Sequence, residues 1–395
     1  MQLILTSAVH RAQQSEAVYT KFISANDVGK TSHSDKRSHQ SGYYISKSFL
    51  GEVFEQQIVK GTDYEAFVTI KWQCDFETQS RFKYFSSKNE CHLTRFGDNF
   101  PYRTDDNIGD LLIICKESKE YYHAFVLQSD EDIEDFLDVL NISATQTNRV
   151  ISSAQPELFD ADRLLRCFAA YIQTLKVDFP LTVDLALQAR TCYNKAYAVS
   201  SRAVTANPDK VLINWLEAEF QLFKTLENDR YQTRIKTPFK SVEELVGVAN
   251  TILNRRKSRA GNSLEHHLSE IFKTFTVPFA AQAVTEDNKK PDFLFPGKEA
   301  YDNPAFAADK LISLASKTTC KDRWRQVLNE ADRIKTKHLF TLQQGISEKQ
   351  LNEMYKYNVC LVVPKQYIEK FPQVYRDKIL TLHTFIRYVQ AVQQL

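Results

Sequence analysis

In the C-terminal half of the chain, three polar residues interrupt or follow apolar runs. Asp292 opens the stretch DFLF directly after a proline. Lys317 lies 25 residues on, inside the apolar run ISLASKTT, and Glu330 follows 13 residues after the lysine. Phosphodiester hydrolysis needs these types together. Acidic oxygens hold a hard divalent cation such as Mg²⁺, which keeps several of its waters. The metal activates water and offsets phosphate charge, and a lysine neutralises the developing anion. Read alone, the three residues also fit a structural account. Asp292 can cap a turn, Glu330 can pair with Arg325 or Arg333, and Lys317 can snorkel from an edge strand. The lysine is the least comfortable in that account, because charge in a buried strand costs several kcal/mol unless paired.

The flanking pattern says which elements carry these residues. Asp292–Phe295 and Leu311–Thr318 read as strands, and Asp322–Ile334 reads as an amphipathic helix that would carry Glu330. His338–Leu342 and Val359–Val363 read as strands separated by a helix over Glu348–Tyr357. Alternating element types of this kind imply a mixed α/β core. The N-terminal part differs. YYISKSF, AFVTIKW, RFKYF, LLIIC and YYHAFVL are short, aromatic and β-branched, which predicts a β-barrel or sandwich. Asp160–Leu226 reads as helical.

The chain has 395 residues, enough for two or three domains, and a net charge of only +2. That total conceals a division. Residues 1–175 hold 18 Lys and Arg against 25 Asp and Glu, a net of −7, and the remainder holds 33 against 24, a net of +9. Six of the ten glycines fall before residue 110. A boundary near Val177–Pro180 suits these shifts, giving expected domains over 1–175 and 176–395. The longest apolar runs are too short to span a membrane, and the N-terminus has no basic leader. Seven scattered cysteines without a CxxC predict a reduced, cytoplasmic protein with structural thiols. The nine histidines show no zinc-like spacing.

Several longer stretches, NRRKSRAGNSLEHHL, AVTEDNKKPDFLFP, KTTCKDRWRQVLNEAD, KHLFTLQQGIS and VCLVVP, closely resemble the EcoRII family of type II restriction endonucleases. KFISANDVGK and SHQSGYYI resemble that family's effector-DNA domain. The likeness is dense over about 241–365 and patchier over 20–100, in the same domain order. It implies two domains, an N-terminal mostly-β pseudobarrel and a C-terminal α/β restriction-endonuclease-like fold of the PD-(D/E)XK type, with the second acid moved onto a helix. Carried over by position, it implies Asp292 and Glu330 as Mg²⁺ ligands, Lys317 as catalytic lysine and Tyr301 as active-site tyrosine. Glu265, on the preceding helix, is a further acid candidate.

The resemblance also says how DNA would be read. Lys321, Asp322 and Arg323 follow the catalytic strand; Lys and Arg donate to guanine and Asp accepts from cytosine, which suits adjacent C·G pairs. The alternative is a solvated helix start with Asp322 near the helix dipole. Arg255, Arg256, Lys257 and Arg259 form a cationic run expected just before a helix capped by Asn262 or Ser263, suited to clamping phosphate; the plain alternative is a surface turn. The family reads CC-GG around one A·T pair and extrudes the central nucleotides, which costs unstacking energy. Trp324 is either an aromatic neighbour of that step or core.

In the N-terminal domain, His39 and Tyr44 correspond to DNA-contacting residues, and Ser86–His92 to a second loop with Lys88, Glu90 and His92. Cys91 stands where the family has a basic residue. The insertion Ser32–Ser38 supplies Lys36 and Arg37 instead. Arg81 and Lys83 alternate with aromatics and equally suit a solvent-facing strand. The expected activity is a type IIE endonuclease: a homodimer on double-stranded DNA, without membrane contact, activated when a second site binds the N-terminal domain. A non-catalytic DNA-binding regulator and a structure-specific repair nuclease are the alternatives.

Overall fold

The computed structural model describes residues 2–29, 42–59, 61–151 and 161–394. Two compact units emerge. The first comprises Met1–Gln155, Gln343–Tyr355 and Tyr367–Lys378; the second comprises Pro156–Leu342, Lys356–Gln366 and Ile379–Leu395.

The first unit is mostly β. Its strands are β1 (Ala17–Phe22), β2 (Tyr43–Ile45), β3 (Tyr64–Trp72), β4 (Phe76–Phe85), β5 (Glu90–Thr94), β6 (Leu111–Lys116), β7 (Tyr121–Leu127) and β8 (Arg149–Ile151). They form one sheet in the order β2-β5-β4-β3-β7-β6-β1-β8. Neighbours are antiparallel except β3 and β7, which run parallel. Alternation along β1 and β6 divides their side chains between two cores. Tyr19, Leu112 and Ile114 join an aromatic cluster with Tyr43, Trp72, Phe82 and Tyr122. Val18, Phe22, Leu111 and Ile113 face the other way, against Ala8, Ile133 and Phe136. Burial on both faces explains why LLIIC reads as a continuous apolar run. The acidic run after Ser129 is a helix start. Ser129 accepts from the Asp132 amide (3.2 Å), and Asp130, Glu131 and Asp132 fill the first turn of Asp130–Val139, where the helix dipole favours them.

The two later segments complete this unit. Gln343 Nε2 donates to the Gly109 carbonyl (2.6 Å), Gln344 Nε2 to Thr147 Oγ1 (3.0 Å), and the Ala25 amide donates to the Lys370 carbonyl (3.0 Å). Gly109 has φ +93, and a Cβ there would lie 2.5 Å from the Gly345 carbonyl oxygen, so glycine is required twice over.

The second unit has a helical part and a sheet. Helices Ala161–Thr174, Thr182–Tyr197, Pro208–Lys236 and Val242–Thr274 bury Leu164, Phe168, Leu185, Leu222 and Phe223 among themselves. Val177–Pro180 is the turn between the first two. Cys167 and Cys192 form a disulfide inside this bundle, their Cα atoms 5.7 Å apart, so these two cysteines depart from the expected free thiols. Two adjacent helices bring them together, which their 25-residue separation does not reveal. Val242–Thr274 begins at Ser241, whose side chain accepts from the Glu244 amide (3.2 Å), and carries Glu243 and Glu244 in its first turn and Lys273 in its last.

The sheet is built from β9 (Ala280–Ala281), β10 (Phe293–Phe295), β11 (Ile312–Lys317), β12 (Lys337–Thr341), β13 (Val359–Val363) and β14 (Leu380–Thr381), in the order β14-β13-β12-β11-β10-β9. β11 to β14 run parallel, whereas β9, β10 and β11 pair antiparallel. One expected element is absent. Asp322–Ile334 is not an α-helix: a 3-10 stretch over Arg323–Asn329 leads into turns. Trp324, Val327, Ala331 and Ile334 are all buried, so the amphipathic spacing is real. Steps of three and four residues serve a 3-10 stretch followed by a turn as well as an α-helix.

Candidate active site and DNA interface

The antiparallel pairing of β10 with β11 brings Asp292, just before β10, beside Ser316 and Lys317 at the end of β11. Asp292 is buried. Its Oδ2 accepts from the Ser316 amide (2.7 Å) and hydroxyl (3.2 Å), and Lys317 Nζ stands 3.9 Å away. Its Oδ1 accepts from Gln282 Nε2 (2.9 Å), which also donates to Glu265 Oε2 (2.8 Å). Glu265 thus reaches the site from helix Val242–Thr274 by way of one amide.

Glu330 ends the 3-10 stretch. Burial, reinforced by the negative charge of Asp292, pushes its carboxyl up to about 7, against the opposing pull of Lys317 and Lys337. Burial and Asp292 push Glu265 upward as well, opposed by Gln282 and Lys317. Four residues from well-separated positions therefore share one electrostatic neighbourhood: Asp292, Lys317, Glu330 and Glu265. Its carboxylates repel one another, so the donor set suits a hard cation. No group of three or more His, Cys, Asp or Glu among the described residues is already arranged to hold a metal. Two carboxylates completed by water and phosphate oxygens is the usual way Mg²⁺ is held.

Tyr301 is placed differently. Its hydroxyl is 2.7 and 2.6 Å from the two Glu286 carboxylate oxygens, and it accepts from the Arg333 amide (3.3 Å). Burial and Glu286 raise its pKa. It packs with Leu294, Leu311 and Ile334, and its side-chain hydrogen bonds go to Glu286 and Arg333, not to Asp292, Lys317 or Glu330.

The expected base-reading triplet lies at the start of the 3-10 stretch, not of an α-helix. Lys321 is buried, Asp322 is exposed, and Arg323 is half-buried with Nη2 on Thr319 Oγ1 (3.2 Å). Trp324 is core: it is fully buried and its ring centroid lies 6.3 Å from that of Tyr357.

The cationic run does not precede a helix. Arg255, Arg256, Lys257 and Arg259 sit inside the 33-residue helix Val242–Thr274, and Asn262 and Ser263 are interior residues of it, not caps. Gly261 does not break it. Arg256 makes a two-point contact with Glu227 (2.9 and 2.6 Å). The Arg255 guanidinium lies 3.7 Å from the Phe179 ring centre. Arg259 is buried, 3.9 Å from Glu219 and over Phe220 and Phe223. Lys257 is exposed.

In the first unit, His39 and the insertion Ser32–Ser38 lie outside the described residues. Tyr44 pairs with His92 across β2 and β5, with ring centroids 5.9 Å apart, and His92 Nε2 is 3.2 Å from Glu90. Lys88 is exposed on the preceding turn. Cys91 faces the core, where burial pushes its thiol up to about 12, so a base at this position would have to be buried. Arg81 and Lys83 share Glu65 (3.3 and 2.7 Å), the solvent-face reading of that strand. A buried ion pair lies behind Tyr44. Lys21 Nζ is 2.7 Å from Asp27 Oδ1 and donates to the Tyr44 carbonyl (2.9 Å), while Asp27 Oδ1 also accepts from the Tyr44 amide (2.8 Å).

Gln282, Ser316, Lys337, Lys21 and Asp27 were not singled out from sequence. For Lys337 a signal existed: like Lys317, it is a lysine in a strand whose other residues are apolar or buried.

Comparison with known proteins gives two matched regions. Residues 12–147 match the family described as restriction endonuclease EcoRII, N-terminal, and residues 223–386 match that described as EcoRII C terminal. The chain is 34% identical over 394 residues to the type II restriction enzyme EcoRII of Escherichia coli, covering 93% of each. It is 28% identical over 117 residues to the type II restriction enzyme SsoII of Shigella sonnei, covering 27% of this chain and 37% of that one. Among solved structures, metal-depleted Ecl18kI in complex with uncleaved, modified DNA gives a TM-score of 0.45 at 18% identity, covering 60% of this chain and 86% of that one.

Proposed function

Since the chain belongs to the EcoRII family of type II restriction endonucleases and is a site-specific deoxyribonuclease, we propose that it hydrolyses double-stranded DNA at a CCWGG-like site with Mg²⁺, through Asp292, Glu330 and Lys317. The observation that carries this reading is the convergence of Asp292, Lys317 and Glu330 from three separate elements into one partly buried, carboxylate-rich neighbourhood. Asp292 and Glu330 would hold the metal, with Glu265 in reserve beside Gln282. Bound there, Mg²⁺ supplies activation of water and Lewis-acid stabilisation of the phosphate. The remaining work falls to the chain. Ser316 and Gln282 fix the Asp292 carboxylate in one orientation from opposite sides. Lys317 brings a positive charge to the point where the attacked phosphate gains negative charge. Tyr301 holds Glu286, and together with Arg333 fastens the segment that follows Glu330.

Lys321, Asp322 and Arg323 read the C·G pairs in this proposal, and the exposed Lys257 contributes to phosphate contact. Arg255, Arg256 and Arg259 are given a smaller part, because their guanidinium groups are engaged inside the bundle. A homodimer places one site on each strand. Tyr44, Lys88, Glu90, His92 and His39 bind a second DNA site, and its binding relieves inhibition of cleavage. This counts as allostery only if the two sites are energetically coupled.

Digestion of a mixed-sequence plasmid with Mg²⁺, followed by run-off sequencing of the ends, tests the reading. Uniform ends at one short pseudopalindrome are expected, with plasmids carrying several sites cut faster than those carrying one. Random ends would favour a structure-specific nuclease. Cleavage surviving Asp292→Ala would remove the proposed centre.

A further inference from the structure

Glu330 sits on an irregular segment, and something must aim it. Its neighbour Ala331 is fully buried and has φ +50, a left-handed conformation that an L side chain disfavours by about 1–2 kcal/mol. Such a turn directs carbonyl groups inward, where each needs a donor. Lys337 supplies both donors. It opens β12 opposite Ser313 of β11 and is 5% exposed. A lysine so buried ordinarily sits against a carboxylate. The hydrogen bonds of its Nζ instead go to two main-chain oxygens, the carbonyls of Glu330 and Ala331, the latter at 2.6 Å. The ammonium therefore clamps the peptide units on either side of the left-handed residue. Beyond the clamp, Lys289 holds Asp332 (2.9 Å), and Arg333 donates to the carbonyls of Asn303 (3.1 Å) and Phe306 (3.0 Å). Lys337 alone among these reaches the main chain of Glu330 itself.

We propose that Lys337 is a positioning residue of the cleavage site: through the Glu330 and Ala331 carbonyls it sets the direction in which the Glu330 carboxylate enters the centre shared with Asp292 and Lys317. The proposal rests on the reading of Glu330 as a metal ligand. It gives Lys337 no contact with substrate or metal, and it makes metal affinity, not DNA affinity, the property the lysine governs.

The test uses the full chain, a duplex carrying the cut site, and Mn²⁺ as probe, with free Mn²⁺ measured by electron paramagnetic resonance. Lys337→Met is expected to retain its circular dichroism and its metal-free DNA affinity within twofold, while Mn²⁺ binding to the protein–DNA complex weakens tenfold or more. Lys337→Arg, which can still donate to both carbonyls, is expected to recover most of that loss. Parental Mn²⁺ affinity in a folded Lys337→Met protein overturns the proposal. Should Lys337→Met not fold, Lys337→Gln decides, because its shorter, neutral side chain takes the ammonium from between the two carbonyls while leaving a polar group at the start of β12. Weakened Mn²⁺ binding there supports the proposal, and parental binding overturns it. Glu330→Gln separates the two levels. If it binds Mn²⁺ like the parent, the ligand reading itself fails and the positioning role goes with it. Loss in Glu330→Gln without loss in the folded Lys337 variant overturns the positioning role alone.

Discussion

His338 gives a pH dependence whose size follows from the structure. It is buried on β12, its ring centroid 5.2 Å from that of Phe385 and 5.4 Å from that of Tyr388. Burial pushes its pKa down to about 4 from an ordinary 6.5, against the opposing pull of a backbone hydrogen bond to Ser313. The folded value lies below the unfolded one, so between the two the unfolded chain takes up a proton that the folded chain refuses. The stability contributed is complete above pH 6.5 and is lost as pH falls towards 4. At pH 4.5 the unfolded imidazole is almost wholly protonated and the folded one about a quarter so. With roughly 1.4 kcal/mol per pH unit, this costs about 2.5 kcal/mol. His338→Phe keeps a flat ring of similar size and cannot titrate. Hydrogen exchange of peptides spanning Lys337–Thr341, corrected for intrinsic rates, reports the opening free energy at pH 7.5 and 4.5. The parent is expected to lose about 2.5 kcal/mol more than the variant between those pH values. His267, buried and also held below the usual imidazole range, titrates in both proteins and cancels. An equal loss in parent and variant would refute the assignment to His338.

Three further outcomes are expected. Gln282→Leu leaves the Asp292 and Glu265 carboxylates without their shared donor, so cleavage at limiting Mg²⁺ should fall about tenfold with little change in melting temperature. Asp27→Asn removes the charge that holds Lys21 and the Tyr44 amide; binding of a second DNA site should weaken about tenfold in a fluorescence titration, with the rate on one-site DNA nearly unchanged. Gly109→Ala forces a Cβ to within 2.5 Å of the Gly345 carbonyl oxygen at φ +93 and should lower the stability of the first unit by 2 kcal/mol or more, on the order of other backbone-strain substitutions, as read by differential scanning calorimetry.

Strand-forming stretches of the sequence were legible because their aromatic and β-branched residues alternate. Asp292 and Lys317 were legible for the opposite reason, as polar residues in apolar strands. Glu330 was assigned to the wrong element: its buried neighbours recur at three and four residues, a spacing that does not distinguish a long α-helix from a 3-10 stretch ending in a left-handed turn. The arginine run was misplaced because its partners are distant in sequence. Glu219 and Glu227 approach only once helices Pro208–Lys236 and Val242–Thr274 pack, and an arginine neutralised in this way looks the same in sequence as one waiting for phosphate. The departure at Cys91 has a local cause, since its alternating position on β5 turns it to the core. Gln282 and Ser316 carried no sequence signal, because a neutral side chain near a turn is unremarkable until its carboxylate partner arrives from another strand.

The first unit is discontinuous. The chain passes between the units at 155–156, 342–343, 355–356, 366–367 and 378–379. Translation proceeds in one direction only, so Gly109 and Thr147 leave the ribosome long before Gln343 and Gln344, and Ala25 long before Lys370. At typical rates of about 5–20 residues per second, the stretch from 155 to 378 takes roughly 10–45 s to make. During that interval the strands β1 to β8 have been made without the two later segments of their unit, and Asp292, Lys317 and Glu330 are synthesised before those segments arrive. Both units therefore wait for the last part of the chain, the first until residue 378 and the second until residue 395, and a fragment ending at 155 would lack the donors to the Gly109 carbonyl and Thr147 hydroxyl altogether.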